Sequence, residues 1–128
     1  MGQNTPHIVI GKEGENVALQ YLVDKGYVLR ERNARNNCGE IDLVMAEGET
    51  LVFVEVKTTR MRTHGDVDYR PIDNLSRAKI HKLHKAISTY CVQHRISAPW
   101  RLDAVLVELN PATKQAQVQH LEHISTDW

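Results

Sequence analysis

Asp42, Glu55 and Lys57 are two carboxylates and an ammonium at spacings that could hydrolyse a phosphodiester. Between the two acids, Gly48-Glu49 suits a two-residue type II′ hairpin turn, which takes Gly at its first central position. Residues facing each other across that hairpin have numbers summing to 97, so 47 meets 50, 44 meets 53, and Asp42 meets Glu55. Directly opposed β-carbons lie about 4.5–5.5 Å apart, where like charges destabilise a sheet. Glu55 also interrupts the apolar run Leu51-Val52-Phe53-Val54, a place where an unpaired carboxylate is costly. A divalent cation would relieve both problems, because Mg²⁺ takes converging hard oxygen ligands and completes its shell with water.

Lys57 is two residues beyond Glu55, so strand geometry sets it on the same face. In phosphodiester hydrolysis a metal lowers the pKa of a water and polarises the phosphoryl oxygen, while a Lys orients that water or neutralises transition-state charge. The alternative is a structural ion pair, with Lys57 bridging Glu55 or Glu40 and Asp42 simply exposed. Glu15 adds a third acid from a helix. At about 100° per residue it shares the apolar stripe of Ala18, Leu19 and Leu22, pointing towards the sheet. It could complete a metal shell, or serve only as an N-terminal charge favourable to the helix dipole.

The elements that must position these groups follow from periodicity and punctuation. Gly11–Gly26 reads as a helix with Gly26 as its stop, Tyr27–Arg32 as a short strand, and Asn33–Gly39 as a polar loop. Ile41–Met45 and Leu51–Val56 are strands. Thr58–Asn74 reads as a 17-residue loop, and loops beyond roughly 12–15 residues are usually functional, so it is expected to move. Leu75–His94 repeats apolar residues at helical spacing, Trp100–Leu109 is a strand, Asn110-Pro111 a turn, and Gln115–Leu121 a weaker edge strand. The order is αβββαββ: one α/β sandwich around a mixed sheet, with residues 1–128 as a single domain.

At 128 residues, with 41% hydrophobic and 25% charged residues, the chain has the composition of a folded domain. It lacks a transmembrane-length apolar run, and Met1–Ile10 lacks the basic and apolar regions of a secretion signal, so it is expected to be soluble and cytoplasmic. Cys38 and Cys91 are too few for a disulfide framework or a thiolate zinc site. The pairs His120/His123 and Cys91/His94 lack partners for a four-ligand site and stay unassigned. Trp100 and Phe53 fit packing better than base stacking.

Net charge is zero, yet Lys57–Arg95 holds nine Lys or Arg against three Asp, while the rest holds seven against thirteen acids. That is +6 beside −6, and local potential steers a polyanion more than net charge does. Arg35, Arg60, Arg62 and Arg70 in loops flanking the acids, with Arg77 and Lys79 opening the second helix, are candidate phosphate contacts; each alone also fits surface solubility.

Gly14-Glu15, Asn33-Ala34-Arg35, Gly39-Glu40-Ile41-Asp42-Leu43-Val44 and Leu51-Val52-Phe53-Val54-Glu55-Val56-Lys57 together resemble the bacterial YraN-like family. Lys79, the helix ending near Tyr90 and Arg101-Leu102-Asp103 continue the likeness, which runs from Gly14 to Val107. That family is similar to restriction-endonuclease-like nucleases and archaeal Holliday-junction resolvases. The resemblance implies that fold, with Asp42 and Glu55 as metal ligands, Lys57 as the catalytic lysine and Glu15 as the helix-borne acid. It also implies the backbone carbonyl of Val56 as a further ligand. Cys38 stands where many relatives have Gly, which bears on the local loop and leaves the acid-acid-lysine set intact.

The expected function is a Mg²⁺- or Mn²⁺-dependent endonuclease acting on structured or damaged DNA in repair or recombination. The alternative is a non-catalytic nucleic-acid-binding or scaffold protein keeping a nuclease fold. A hydrolase of small phosphorylated molecules ranks third, because no Gly-rich phosphate loop is present. The expected partner is nucleic acid, DNA before RNA, with no membrane; a homodimer is left open.

Overall fold

The computed structural model describes residues 10–60 and 75–124, with side chains from residue 13 onward. Its elements are α1 (Ile10–Asp24), β1 (Val28–Asn36), β2 (Gly39–Glu47), β3 (Thr50–Arg60), α2 (Arg77–Gln93), β4 (Trp100–Asn110) and β5 (Gln115–Leu121). This is the αβββαββ order. The strands form one sheet in sequence order, β1 to β5; only β3 and β4 run parallel, joined by the crossover that contains α2. Among the described residues no helix is long and apolar enough to cross a membrane.

The sheet is covered on both faces, as its apolar patterning requires. Val52, Val54 and Val56 of β3 join Leu43, Met45, Val105 and Val107 under Ala18 and Leu22 of α1. Leu51 and Phe53, at the alternate positions, pack with Ile80, Leu83, Ile87 and Tyr90 of α2. Period-2 alternation thus sends neighbouring β3 side chains into two different layers. α1 ends where Gly26 takes φ +100, with Tyr27 N donating to Leu22 O at 3.0 Å. α2 starts two residues later than expected, because the Ser76 hydroxyl caps it by accepting from Lys79 N at 3.1 Å.

Two expected loops are shorter than their composition suggested. Residues 33–36, read as polar loop, continue β1, with Ala34 opposite Ile41 and Asn36 opposite Gly39; only Asn37-Cys38 turn the chain. β1 is an edge strand, so its side chains need not alternate between core and water. Thr58–Arg60, read as the start of the long loop, extend β3 along Val107–Leu109 of β4. Arg60 therefore ends a strand, and residues 61–74, which include Arg62 and Arg70, lie outside the described residues.

The β2–β3 hairpin has the expected register, from Glu47 opposite Thr50 to Leu43 opposite Val54, with Gly48 at φ +61 in the turn. Past that point β2 turns over. Ile41 packs in the α2 layer and Leu43 in the α1 layer although they are two residues apart. In the adjacent strand Asn33 adopts φ +51, a left-handed conformation that Asn tolerates. Asp42 lies between Ile41 and Leu43.

Candidate metal centre

Glu55 continues the Leu51, Phe53 face of β3 beneath α2 and is only 6% exposed. A carboxylate there needs compensation, and two ammonium groups supply it. Lys79 Nζ from the first turn of α2 lies 3.0 Å from Glu55 Oε2, and Lys57 Nζ, two residues along β3, lies 3.8 Å from the same oxygen. Lys79, a candidate phosphate contact, pairs with the acid in this structure. The signal missed was positional: the Ser76 cap fixes the first turn of α2, so the side chain of Lys79 is held over the end of β3.

Asp42 is half-buried next to Glu55. Its Oδ2 accepts the Val56 amide at 2.8 Å, where the hairpin ladder stops one pair short of the two acids. Burial, then the charge of Glu55 and more weakly that of Glu15, push the Asp42 carboxyl up to about 7, against the opposing pull of the Val56 amide. Burial, then the neighbouring Lys79, hold Lys57 below the ordinary lysine range, outweighing the two carboxylates. Burial opposes charge on Lys79 as well, but its neighbours Lys57 and Glu55 and the charges of Glu55 and Asp42 prevail and raise it.

Asp42 and Glu55 border a cavity of about 290 Å³ walled by Lys79, Lys82 and Leu83 of α2 and by Cys38, Gly39 and Glu40 at the β1–β2 turn, with Lys57 beside Glu55 behind that lining. The turn is pinned to α2 by Asn36 Nδ2 donating to Ala86 O at 3.0 Å and by Cys38 Sγ lying 3.3 Å from Thr89 Oγ1. Cys38 therefore shapes the cavity wall. A larger cleft, about 500 Å³, opens at the Gly48 end of the hairpin beside Tyr90 and His94, with Glu49 as its one lining carboxylate. Chemistry decides between the two in favour of the smaller cavity, because three acids (Glu40, Asp42, Glu55) and two lysines (Lys79, Lys82) line it.

Glu15 approaches from the α1 side. It is fixed by Asn33 Nδ2 at 3.2 Å and by Arg32 at 3.8 Å, so it contributes charge to Asp42 rather than a position on the cavity wall. Gly14 allows this approach: a β-carbon there would overlap the Thr58 hydroxyl outright and lie 2.7 Å from the Thr58 β-carbon. That hydroxyl is buried and has no hydrogen-bond partner among the described residues. Arg35 is exposed and pairs with Glu40 at 3.3 Å, Arg60 is exposed at the end of β3, and Arg77 is exposed at the start of α2. Lys82, unassigned from the sequence, lines the cavity.

Among the described residues no three His, Cys, Asp or Glu side chains cluster as a metal cage. The donors present are two hard carboxylates, which fit Mg²⁺ or Mn²⁺ retaining most of its waters and do not fit a closed zinc site. A cation between Asp42 and Glu55 would remove the repulsion that raises Asp42.

A second polar network lies in the other layer and also escaped the sequence reading. Asp103 of β4 is fully buried and accepts from Arg101 Nε at 2.9 Å, Arg101 Nη2 at 3.2 Å, His120 Nε2 at 2.7 Å and the His123 amide at 3.0 Å. Arg101 also donates to the Tyr27 hydroxyl at 2.6 Å and to Glu47 at 3.0 Å. Burial alone would raise the Asp103 carboxyl, but these donors outweigh it and hold it below the usual range. With its lone pairs filled, the network ties β4 to β5, to the end of β2 and to Tyr27 between α1 and β1. It is structural.

The model of the uncharacterised protein family UPF0102 matches residues 14–107, which include every residue of the acid and lysine cluster. A UPF0102 protein of Paenarthrobacter aurescens is 34% identical over 116 residues, 91% of this chain and 93% of that protein. One from Methylococcus capsulatus is 40% identical over 107 residues, 84% of each chain, and one from Neisseria meningitidis serogroup C is 41% identical over 101 residues, 78% of this chain and 84% of that one. These matches agree with the YraN-like motifs in the sequence and extend over nearly the full length of each relative, so the chain belongs to the UPF0102 family.

Proposed function

We propose that this protein is a Mg²⁺- or Mn²⁺-dependent endonuclease that hydrolyses phosphodiester bonds of structured or damaged DNA, in the repair or recombination class. The observation that carries the reading is the pairing of half-buried Asp42 with buried Glu55 on one cavity wall, with Lys57 and Lys79 both beside Glu55. Asp42 and Glu55 would hold the cation, with the Val56 carbonyl as the third ligand that the family resemblance implies. A bound cation would lower the pKa of a water and polarise the phosphoryl oxygen. Lys57, held below the ordinary lysine range, is suited to exchange a proton with the attacking water and to neutralise charge developing on the phosphoryl group. Lys79 pairs with Glu55 and holds it in place. Arg77, Lys82 and Lys85 present α2 to the phosphodiester backbone. That reading has the protein work on DNA in the cytoplasm.

One observation favours a second reading, a nucleic-acid-binding or scaffold protein without turnover. Lys79 already neutralises Glu55 at 3.0 Å, as a structural ion pair would. Incubating the protein with flap, four-way-junction, single-stranded and duplex DNAs, with and without Mn²⁺, separates the two. Mn²⁺-dependent cleavage abolished in Asp42→Asn and Glu55→Gln supports the nuclease. Binding of the same DNAs without cleavage supports the scaffold.

A further inference from the structure

The sheet has two edges with opposite character. β1 carries Arg30, Glu31, Arg32 and Arg35, has a register shift between Leu29 and Glu31, and bends at Asn33 with φ +51. Charges, bulges and kinks are what keep an edge strand from pairing with another chain. β5 has none of these. Its sequence, Gln-Ala-Gln-Val-Gln-His-Leu, contains no formal charge apart from a titratable His, no Pro and no Gly, and it pairs with β4 in unbroken register from Asn110–Gln115 to Ala104–Leu121. It is exposed through most of its length, and among the described residues no backbone hydrogen bond reaches residues 115–121 from beyond β4.

We propose that β5 is a self-association edge, through which two copies of this chain pair antiparallel about a two-fold axis near Val118 and continue their sheets into one. The side chains argue for a second copy as the occupant. Val118 and His120 turn towards α1, Val118 packing with its layer and His120 meeting the Tyr21 and Tyr27 rings. Gln115, Gln117 and Gln119 therefore share the opposite face. Centred on Val118, the two-fold sets Gln117 opposite Gln119 of the other copy, twice. A Gln amide carries both donors and an acceptor, so Gln can pair with Gln across a two-fold, whereas a charged residue meeting its own kind would repel. The protected β1 edge stops growth, so the pairing closes at two copies. A seven-residue strand pair is a small interface, which sets the dimer among weak, concentration-dependent assemblies.

This inference does not depend on the nuclease reading, and cleavage assays do not bear on it. Sedimentation velocity of the full chain over a concentration series is expected to show twice the monomer mass at high concentration. Gln117→Lys/Gln119→Lys opposes Lys to Lys and should weaken association about tenfold or more with an unchanged melting temperature. Mixing it with Gln117→Glu/Gln119→Glu should restore a dimer of the two variants. A parent that stays monomeric up to roughly 1 mM, the weak end of specific association, overturns the proposal. So does a Lys variant that dimerises as well as the parent, or a mixture that fails to associate. Should a variant not fold, amide exchange in the parent decides: protection of residues 115–121 must rise with protein concentration, and concentration-independent exchange overturns the proposal.

Discussion

Lys79 of α2 lies 3.0 Å from Glu55 of β3 and is thereby the link between the second helix and the acid pair. A helix-borne cation over a strand-borne anion couples packing to chemistry, since any shift of α2 moves the charge that compensates Glu55. Lys79→Met should leave Glu55 with Lys57 alone. Glu55 is buried while Lys79 is 36% exposed, so solvent screens part of the cost and a loss of about 1–3 kcal/mol in chemical denaturation is expected. Removing a nearby positive charge should at the same time tighten Mn²⁺ binding, read by calorimetry. Weaker Mn²⁺ binding by a folded Lys79→Met protein would contradict this account of the site.

Asp42 makes the metal-free protein sensitive to pH. Its carboxyl is raised to about 7 from 3.8, so between those values the folded state keeps a proton that the unfolded chain has released. Stability should therefore be greatest near pH 4 as far as this group is concerned, and fall as pH rises towards 7. The effect is on the order of 2–4 kcal/mol at most. Asp42→Asn imitates the protonated form and should flatten that slope, giving a higher melting temperature than the parent at pH 8. A parent and variant with parallel stability profiles from pH 4 to 8 would show that Asp42 is not held protonated.

How much of this site the sequence disclosed depends on how local its causes are. The hairpin register was legible because one turn, Gly48-Glu49, fixes every cross-strand pair after it, and Glu55 stood out as a charge inside an apolar run. The extra residues of β1 were not legible, because polar side chains on an edge strand show no alternation. Asp103 was hidden for another reason: its donors come from β4, from β5 and from two residues beyond that strand, and no spacing rule brings Arg101, His120 and His123 together. Lys79 read as one more basic residue on a basic helix until the fold set it against Glu55.

Asp103→Asn tests that hidden network. The substitution removes the charge facing Arg101 and exchanges one accepting oxygen for a donor, so Arg101 or His120 loses its partner in a fully buried place. A destabilisation of about 3–5 kcal/mol is expected, without any change in the Asp42 pH profile of whatever protein folds. A loss below roughly 1 kcal/mol, the scale of an ordinary hydrogen bond, would reduce the network to a surface ion pair.

Gly14 and Thr58 form a steric pair that can be tested as one. Gly14→Ala sets a β-carbon into the Thr58 side chain and must push α1 off β3, at a cost of about 1–3 kcal/mol or more. Thr58→Gly removes the obstruction. In the double variant part of that loss should return, giving a clear coupling energy in a double-mutant cycle. Additive losses would mean that helix and strand do not meet there.

DNA binding, if α2 is its platform, should be dominated by phosphate contacts. Lys79 is paired with Glu55, whereas Lys82 lines the cavity wall and Arg77 is exposed at the start of the helix. Each phosphate contact on duplex DNA contributes about −0.9 to the slope of log affinity against log salt. Arg77→Ala/Lys82→Ala should therefore shallow that slope by up to about two and weaken binding similarly for all duplex sequences, because phosphate contacts carry no sequence information. Preference for branched over linear DNA should survive, since it would come from shape. Fluorescence anisotropy across a salt series, on duplex and four-way-junction DNA, reads both quantities. A parent that binds neither DNA at low salt would remove α2 as a nucleic-acid surface and leave the acid and lysine cluster to be explained by folding alone.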